Sequence, residues 1–494
     1  MEPIGTITQY FPFLDSESKK IIQNTMNDAY NYHDFVMHLN TIVLNEEIPD
    51  LVIYFAIHHS ALLFDMDSID KIAKRYGKLP ILRPNLFYAS VHQGNQQDIV
   101  KVHQSADAIL QSNPPPWLEM EMRLLKFEVD LLHYPKEIYD SSNLEKIKHL
   151  LDTHEELGFY ENMFYDYMRE KAMRDGDSEE IQNCTNKAVE SATKYNDIVR
   201  LAYHLRRKSE SLQKTNRSQS IKDLLNAKKI MESLGNRAGV ASIMYYMSKQ
   251  EAIRGEYNLA IQRNLEVIQI REEMDLPKGV YAAMLSTLYN VIGDPESGLE
   301  WGRLAEVDFE SHPEVKPRGI LNQVWSLILL GKKTEAEFLL DTVQESIMKS
   351  GIEILLGFLS FVSGILEMYE NDYSSASNAI EDALNIYEGK GRVEYSMIFL
   401  YHLALLDVLT ICKNNETATD ENSSVWLNLL EDRAISDDLP GILGQVQLLK
   451  VRLALHENDD QALRELINQI KLLGNHASME FLNTELDKLL GSKK

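Results

Sequence analysis

Apolar residues recur along most of the chain at the spacing of amphipathic helices, and short polar turns interrupt them. Two such apolar stripes flank the turn at Gly255. They consist of Val240, Ile243, Met244 and Met247 before the turn and of Ile261, Leu265 and Ile268 after it. This spacing places each set on one helix face. An isolated helix pair of this kind leaves an apolar side uncovered, so the pattern predicts that successive pairs stack on one another.

The turns return at a nearly constant interval. The turn residues of the four clearest units are Gly255, Gly293, Gly331 and Asn371. Their steps are roughly 38 to 40 residues, within the range of helical repeats. The small residues that follow these turns are Ala260, Gly298, Ala336 and Ala376, and a small residue lets the second helix approach the first closely. The chain is therefore predicted to be all-α, an α-solenoid of stacked antiparallel helix pairs.

Residues 255–260 (Gly-Glu-Tyr-Asn-Leu-Ala) and 371–376 (Asn-Asp-Tyr-Ser-Ser-Ala) resemble the turn motif of the tetratricopeptide repeat superfamily. The units are longer than the ~34 residues usual there, and in this they resemble the variant in the helical sensor region of MalT-like transcription regulators. Residues 5–13 are similar to uncharacterised archaeal repeat proteins. The resemblance implies a right-handed superhelix whose first helices line a concave side that binds peptides or helices. The nucleotide-binding and helix-turn-helix domains of MalT-like regulators are not evident, which favours a free-standing repeat protein.

Three segments differ in how well they fit the repeat. Residues 1–49 do not fit it and are predicted to form an N-terminal helical capping segment, with an arm that docks on another subunit as the alternative. Residues 50–116 are predicted to form divergent helix pairs that end at the rigid corner Pro114–Pro116. Residues 117–490 are predicted to form the solenoid, with a polar loop insertion at 413–424.

The amino-acid composition limits which partners and which cellular compartment are expected. The 494 residues include 75 Asp and Glu against 50 Lys and Arg, a formal charge of −25. Such an acidic surface repels phosphate backbones, so nucleic acid is not an expected partner. Cys184 and Cys412 are isolated thiols that suit a reducing compartment. Because neither a secretory leader nor a membrane-length apolar run is found, the protein is predicted to be cytoplasmic and free of the membrane. Its oligomeric state is left open.

Sequence motifs that would indicate metal binding, phosphate binding or DNA recognition are weak. His58-His59 and the other histidines lack the spacing with glutamate that a helical zinc site needs. Residues 331–334 (Gly-Lys-Lys-Thr) lack the upstream glycine of a phosphate loop. Residues 67–77 slightly resemble one helix of a DNA reader, but amphipathic packing explains them equally well. No catalytic residue, cofactor site or metal site is therefore predicted, and the protein is expected not to be an enzyme.

Two groups of residues are candidates for partner binding. Tyr245 and Lys249 are predicted on one first helix, and Leu321 and Trp325 on the same face of a later one. Aromatic side chains supply contact area at interfaces, although Trp325 could equally be interhelix core. The second group is basic, Arg206 and Arg207, predicted to contact an acidic partner segment, with a solvated helix end as the alternative.

Two function hypotheses follow. The first is a protein-interaction scaffold that binds a protein or peptide, in extended or helical form, on the concave face of the superhelix. The alternative is a regulatory sensor whose superhelix binds a small molecule or a signalling peptide and changes curvature. A ligand-dependent change in melting temperature would favour the sensor over a passive scaffold.

Overall fold

The computed structural model describes residues 5–63, 65–92, 98–133, 141–213, 216–311, 315–390, 393–414 and 424–491. Every regular element in these ranges is a helix, so the predicted all-α fold is confirmed. Contacts between residues divide the chain into two compact units, Met1–Ile243 and Met244–Lys494. The predicted boundaries after residues 49 and 116 both lie inside the first unit.

The described residues of the first unit form thirteen α-helices, the beginning of a fourteenth, and short 3-10 helices at Phe11–Phe13, Pro80–Leu82 and Glu155–Tyr160. The α-helices are α1 (Gly5–Thr8), α2 (Ser16–Asp28), α3 (Tyr32–Asn45), α4 (Asp50–Leu63), α5 (Met66–Tyr76), α6 (Arg83–His92), α7 (Asp98–Gln111), α8 (Pro116–His133), α9 (Ser141–Thr153), α10 (Glu161–Asp175), α11 (Ser178–Lys194), α12 (Ile198–Leu212), α13 (Arg217–Ser233) and α14 (Arg237–Ile253). The unit boundary falls within α14.

The second unit continues the pairing and adds 3-10 helices at Phe309–Ser311 and Ala477–Met479. Its further α-helices are α15 (Tyr257–Glu273), α16 (Gly279–Val291), α17 (Pro295–Asp308), α18 (Lys316–Leu329), α19 (Lys333–Ser350), α20 (Glu353–Tyr369), α21 (Tyr373–Gly389), α22 (Val393–Asn414), α23 (Val425–Ser436), α24 (Pro440–Glu457), α25 (Asp460–Gly474) and α26 (Phe481–Gly491). Most of the predicted loop insertion at 413–424 lies outside the described residues.

The four clearest turns lie where the sequence predicts them. Gly255, Gly293, Gly331 and Asn371 each separate one helix pair's two members, with φ of 74°, 77°, 70° and 62°. Glycine, and asparagine more than other residues, tolerates this left-handed conformation, which explains their use at the reversal. Residues 331–334 therefore form a repeat turn and the start of α19.

First helices of neighbouring pairs are joined by buried polar contacts as well as by apolar packing. Thr287 on α16 donates to the side-chain oxygen of Asn322 on α18 at 3.0 Å, across 35 residues of sequence. One turn further along, Ser326 donates to the side chain of Asn290 at 2.9 Å, across 36 residues. Because buried polar groups must be paired, these bonds help fix the register in which one pair stacks on the next.

The first and last pairs of the second unit touch. The backbone N–H of Gly441, at the start of α24, donates to the carbonyl of Arg254 at 3.0 Å. Phe481, at the start of α26, donates its backbone N–H to the side chain of Asn258 at 3.3 Å. The second unit therefore closes on itself, whereas an open solenoid would leave these two ends apart.

The N-terminal segment packs into the interior of the first unit. Tyr10 is 3% exposed and its ring meets Phe55 at 5.3 Å and Phe159 at 5.4 Å, edge to face. The backbone N–H of His33 donates to the carbonyl of Leu234 at 3.1 Å, which ties this segment to the end of α13. Residues 5–45 are thus held by several elements of their own chain and contribute to the centre of the unit.

One described helix, Glu394–Asn414, is long and apolar enough to cross a membrane by composition alone, with a mean hydropathy of 1.7. Of its apolar window, 61% is buried within the protein. Phe399, Leu400 and Leu403 on this helix are 0% exposed. Burial of this kind is typical of a core helix, because its apolar side chains already contact other helices.

Candidate functional site

A cavity of about 480 Å³ lies in the first unit. Its wall is formed by side chains of α4, α6, α8, α10 and α12, together with Met66 at the start of α5. Leucine and methionine side chains, among them Leu124, Leu125 and Met163, supply the apolar part of the wall. Carboxylates, guanidinium groups, two imidazoles and three tyrosines supply the polar part. Mixed walls of this kind bind ligands whose polar ends are recognised and whose apolar parts are buried.

The carboxylate of Glu121, on α8, is held by three buried tyrosines. Tyr160 donates to Oε1 at 2.6 Å, Tyr10 donates to Oε1 at 3.0 Å, and Tyr54 donates to Oε2 at 3.1 Å. Burial, and then the charge of Glu121, raises the pKa of all three phenols well above the usual value. The phenols therefore stay protonated, and each donates its hydroxyl hydrogen to this carboxylate.

Two helical turns further along α8, Glu128 lies in a similar setting. Tyr167 donates to its Oε2 at 3.0 Å. Tyr88 also hydrogen-bonds to Glu128, and burial followed by this carboxylate raises the pKa of Tyr88 well above the usual value. Within the described ranges, neither Glu121 nor Glu128 forms an ion pair with a lysine or arginine.

The basic wall comes from successive turns of α12. Arg200 donates to Asp197 at 2.9 Å. Arg207 reaches back to α10, where its Nε lies 3.2 Å from Asp166 and its Nη1 contacts Glu170. Burial acts to raise the pKa of Asp166, but the combined electrostatic effect of its neighbours, of which Arg207 contributes most, outweighs burial, so that pKa lies below the usual value. These guanidinium groups are therefore fixed by carboxylates of the protein itself.

The histidines of the wall are uncharged at neutral pH. Burial lowers the pKa of His204 to about 4, and the nearby Asp166 only partly offsets this. Burial likewise lowers the pKa of His58. Among the described residues no three His, Cys, Asp or Glu side chains are grouped to hold a metal ion. The charge of the wall is thus set by its carboxylates and guanidinium groups.

The two predicted basic residues, Arg206 and Arg207, both lie on the cavity wall. Their side chains are 13% and 21% exposed, so neither is at a solvated helix end. Arg206 lies 3.5 Å from Glu210, which means that both pair with acids of their own chain. Glu121 and Glu128 were not among the residues predicted from sequence. The available signal was their seven-residue spacing, which puts the two acids on one face of α8.

In the second unit, Leu321 and Trp325 lie in the core and correct the expectation of an open binding face. They are 0% and 1% exposed, and the Trp325 ring meets Phe361 edge to face at 4.9 Å. Trp325 is therefore part of the core between helices, which was the alternative interpretation of its position. Side chains this deeply buried have no surface to offer a partner, because the neighbouring pairs cover the face on which they lie.

Lys249 and Tyr245 are also engaged within the second unit. Lys249 is 5% exposed at its side chain and pairs with Glu394 at 2.8 Å. Tyr245 is half-buried, with its ring 5.0 Å from that of Tyr281. The ion pair of Lys249 could not be predicted from sequence, because its partner lies on α22, far away along the chain. Of the two, Tyr245 alone keeps appreciable exposed surface.

In the second unit, helix pairs that turn at residues 255, 293, 331 and 371 form a helical-repeat fold. No protein-family model matches the chain, and no curated protein is detectably similar to it. The MalT-like and archaeal resemblances therefore stay predictions.

Several solved helical-repeat structures are similar in fold. A Rap protein complexed with Competence and Sporulation Factor is 13% identical, with a TM-score of 0.45 over 66% of this chain and 96% of that one. A STAND protein with a tetratricopeptide repeat sensor from Pyrococcus horikoshii is 14% identical, with a TM-score of 0.43 over 76% and 53%. Yeast Tom70 is 12% identical, with a TM-score of 0.32 over 98% and 96%. Likenesses this distant carry no argument about what this chain binds.

Proposed function

We propose that this chain is a non-enzymatic interaction protein that binds a small molecule or a short peptide segment in the cavity of its first unit. The observation that carries the proposal is the cavity itself, about 480 Å³ with polar groups converging from several helices. Ligand sites usually measure ~300 to 1,000 Å³ and combine an apolar wall with a few placed polar groups. Of the two hypotheses from sequence, the cavity favours the sensor, because its volume suits one compact ligand.

The way the polar groups are held supports recognition over catalysis. Glu121 accepts three tyrosine hydroxyls, and Arg207 is bound to both Asp166 and Glu170. Groups fixed in this way need little reorganisation when a ligand arrives, which lowers the cost of binding. A protein or peptide partner and a cytoplasmic location remain part of the proposal, since a net charge of −25 suits neither nucleic acid nor an anionic membrane surface.

A cavity-filling variant tests the site. Ala61 lines the cavity and is half-buried, so Ala61→Phe is expected to fill space that a ligand needs. Ala108 is exposed on α7 and outside the lining, and Ala108→Phe is the matched control for an added phenyl ring. A library of metabolites and five-residue peptides would be screened by thermal shift, and each hit measured by calorimetry.

Hits are expected to lose at least about tenfold in affinity with Ala61→Phe, which corresponds to ~1.4 kcal/mol, and to keep it with Ala108→Phe. Both variants should melt within a few degrees of the wild type, since neither replaced side chain is fully buried. Ligands that bind all three proteins equally would place the binding site elsewhere on the chain.

A further inference from the structure

We infer that the ligand of this cavity carries a positive charge, an ammonium or guanidinium group on a short aliphatic stem. The inference rests on the proposed function, since it specifies the ligand of that same site. Three observations support the inference: the basic groups of the wall are paired, two carboxylates are not paired with them, and the side chains beside one of these carboxylates suit a cation with an aliphatic stem.

The first step is the pairing of the basic groups. Each guanidinium at or directly behind the wall has a carboxylate of the protein within 4 Å. The pairs are Arg200 with Asp197, Arg206 with Glu210, Arg207 with Asp166 and Glu170, and Arg169 with Glu170 and Glu210. Four guanidinium groups thus meet four carboxylates, and this part of the wall is electrically balanced.

The second step is the charge that remains. Glu121 and Glu128 also line the cavity, and hydroxyl groups of tyrosine are their hydrogen-bond partners among the described residues. Hydroxyl donors stabilise a carboxylate without neutralising it. Counted together with the paired groups directly behind it, the wall therefore has two carboxylates more than guanidinium groups, and both lie on α8. The charge of Glu121 acts on Arg200 as well as on the tyrosines, so half-buried Glu128 is the carboxylate to which a bound cation would supply a counter-charge.

The third step is the fit of a cation beside Glu128. The rings of Tyr88 and Tyr167 adjoin this carboxylate through their hydroxyl groups, and aromatic faces attract ammonium and guanidinium groups. Leu124, Leu125 and Met163 form neighbouring wall and suit an aliphatic stem. An anionic ligand would meet the unbalanced carboxylates here, and the guanidinium groups that could receive it are already paired.

Two sources share this chemistry, a free amine and the lysine or arginine side chain of a peptide. Calorimetry on the intact chain would compare pentylammonium with neutral pentanol and anionic pentanoate. In parallel, the acetylated and amidated tripeptide Ala-Lys-Ala would be compared with Ala-Met-Ala. The cationic member of one or both series is expected to bind at least tenfold more tightly than its neutral and anionic counterparts. The series that shows this preference identifies the source.

Glu128→Gln keeps the shape of the side chain and removes its charge, so it is expected to weaken binding of the cation tenfold or more. Glu145 is exposed on α9 outside the cavity, and Glu145→Gln, the same chemical change, is expected to leave affinity unaltered. The comparison of probe charges on the wild-type chain does not depend on how any variant folds.

The outcomes separate this inference from the proposed function. If pentanol or Ala-Met-Ala binds as tightly as the cation and Ala61→Phe abolishes that binding, the cavity is a site but the inference about charge is wrong. Unchanged cation affinity in Glu128→Gln, or no cation binding in the millimolar range, also overturns the inference. If a probe binds and Ala61→Phe leaves every affinity unaltered, the proposed site itself is wrong.

Discussion

At the scale of single residues, the chain buries charged and titratable groups where hydroxyl groups, aromatic rings or ion pairs surround them. Arg318 in the second unit is an example. Its guanidinium lies 4.0 Å from the ring centre of Phe358 and 4.6 Å from that of Tyr395, and its Nη1 donates to the hydroxyl of Tyr387 at 3.0 Å. Among the described residues, ring faces and a hydroxyl stabilise this cation, and no carboxylate forms an ion pair with it. The same device, with tyrosine hydroxyls in place of ring faces, stabilises Glu121 in the first unit.

His402, in the second unit, makes stability depend on pH. Burial lowers its imidazole pKa from 6.5 to about 4, and its Nδ1–H donates to the carbonyl of Ile398 at 2.8 Å. The unfolded chain therefore takes up a proton below pH ~6.5 that the folded chain refuses until about pH 4. Stability from this residue is fully present above pH ~6.5 and is lost as the pH falls towards 4, by roughly 2–3 kcal/mol.

His402→Leu removes this titration. Urea unfolding at pH 7.5 and 4.5 is expected to show a smaller loss of stability on acidification in the variant than in the wild type, by roughly 2–3 kcal/mol. The control is His476→Leu, at an exposed position, which should lose as much as the wild type. Equal losses in the wild type and His402→Leu would show that burial does not oppose charging of this imidazole.

At the residue scale, the sequence allowed groups to be picked out by their charge, whereas groups whose role depends on a distant partner could not be recognised. Arg206 and Arg207 stand out as a basic pair, and both reach the cavity wall. The role of Glu121 depends on Tyr10, Tyr54 and Tyr160, which lie far from it along the chain. Their meeting is decided by how the N-terminal segment and three helices pack, and no local spacing encodes it.

At the scale of helices, the turns and their spacing were predictable because they are local. A reversal needs a residue that tolerates positive φ, and a close pair needs a small residue after it. Ala260, Ala336 and Ala376 are each 0% exposed, as that argument requires. The contact between the turn at Gly255 and the start of α24 was not predictable, since these two elements are distant in sequence.

That contact gives a test of closure in the second unit. A Cβ at Gly441 would overlap the backbone carbonyl of Gly255, and backbone cannot move aside as a flexible side chain can. Gly441→Ala is therefore expected to destabilise the chain by roughly 1–3 kcal/mol, as overpacking does elsewhere. Thermal unfolding followed by circular dichroism would measure the change.

Gly389 is the matched control, because it ends α21 and a Cβ there would meet no atom within 4 Å. Gly389→Ala is expected to leave the melting temperature unchanged or to raise it slightly, since alanine loses less backbone entropy on folding. A Gly441→Ala protein as stable as the wild type would mean that α24 can move away from the Gly255 turn without cost.

At the scale of the whole molecule, charge affects the binding of a cation in two ways, through the long-range field of the chain and through direct contact at the site. The formal charge of −25 belongs to the entire chain, whereas the unbalanced charge of the cavity belongs to Glu121 and Glu128. Long-range attraction by the chain affects how fast a cation arrives and is screened by salt. The contact with Glu128 affects mainly how slowly it leaves, because short-range pairs are lost only on dissociation.

We therefore expect salt to change the association rate and the loss of the Glu128 charge to change the dissociation rate. For acetylated and amidated Ala-Lys-Ala carrying a neutral fluorophore, stopped-flow measurements are expected to show an association rate that falls up to about tenfold between low and high salt. The Ala-Met-Ala peptide should associate at a rate that salt barely changes. Glu128→Gln is expected to accelerate dissociation of the lysine peptide tenfold or more while leaving the salt dependence of association nearly intact, since it removes one charge of many. If Glu128→Gln instead slowed association and left dissociation unchanged, Glu128 would act through the field of the chain and not through contact with the bound cation.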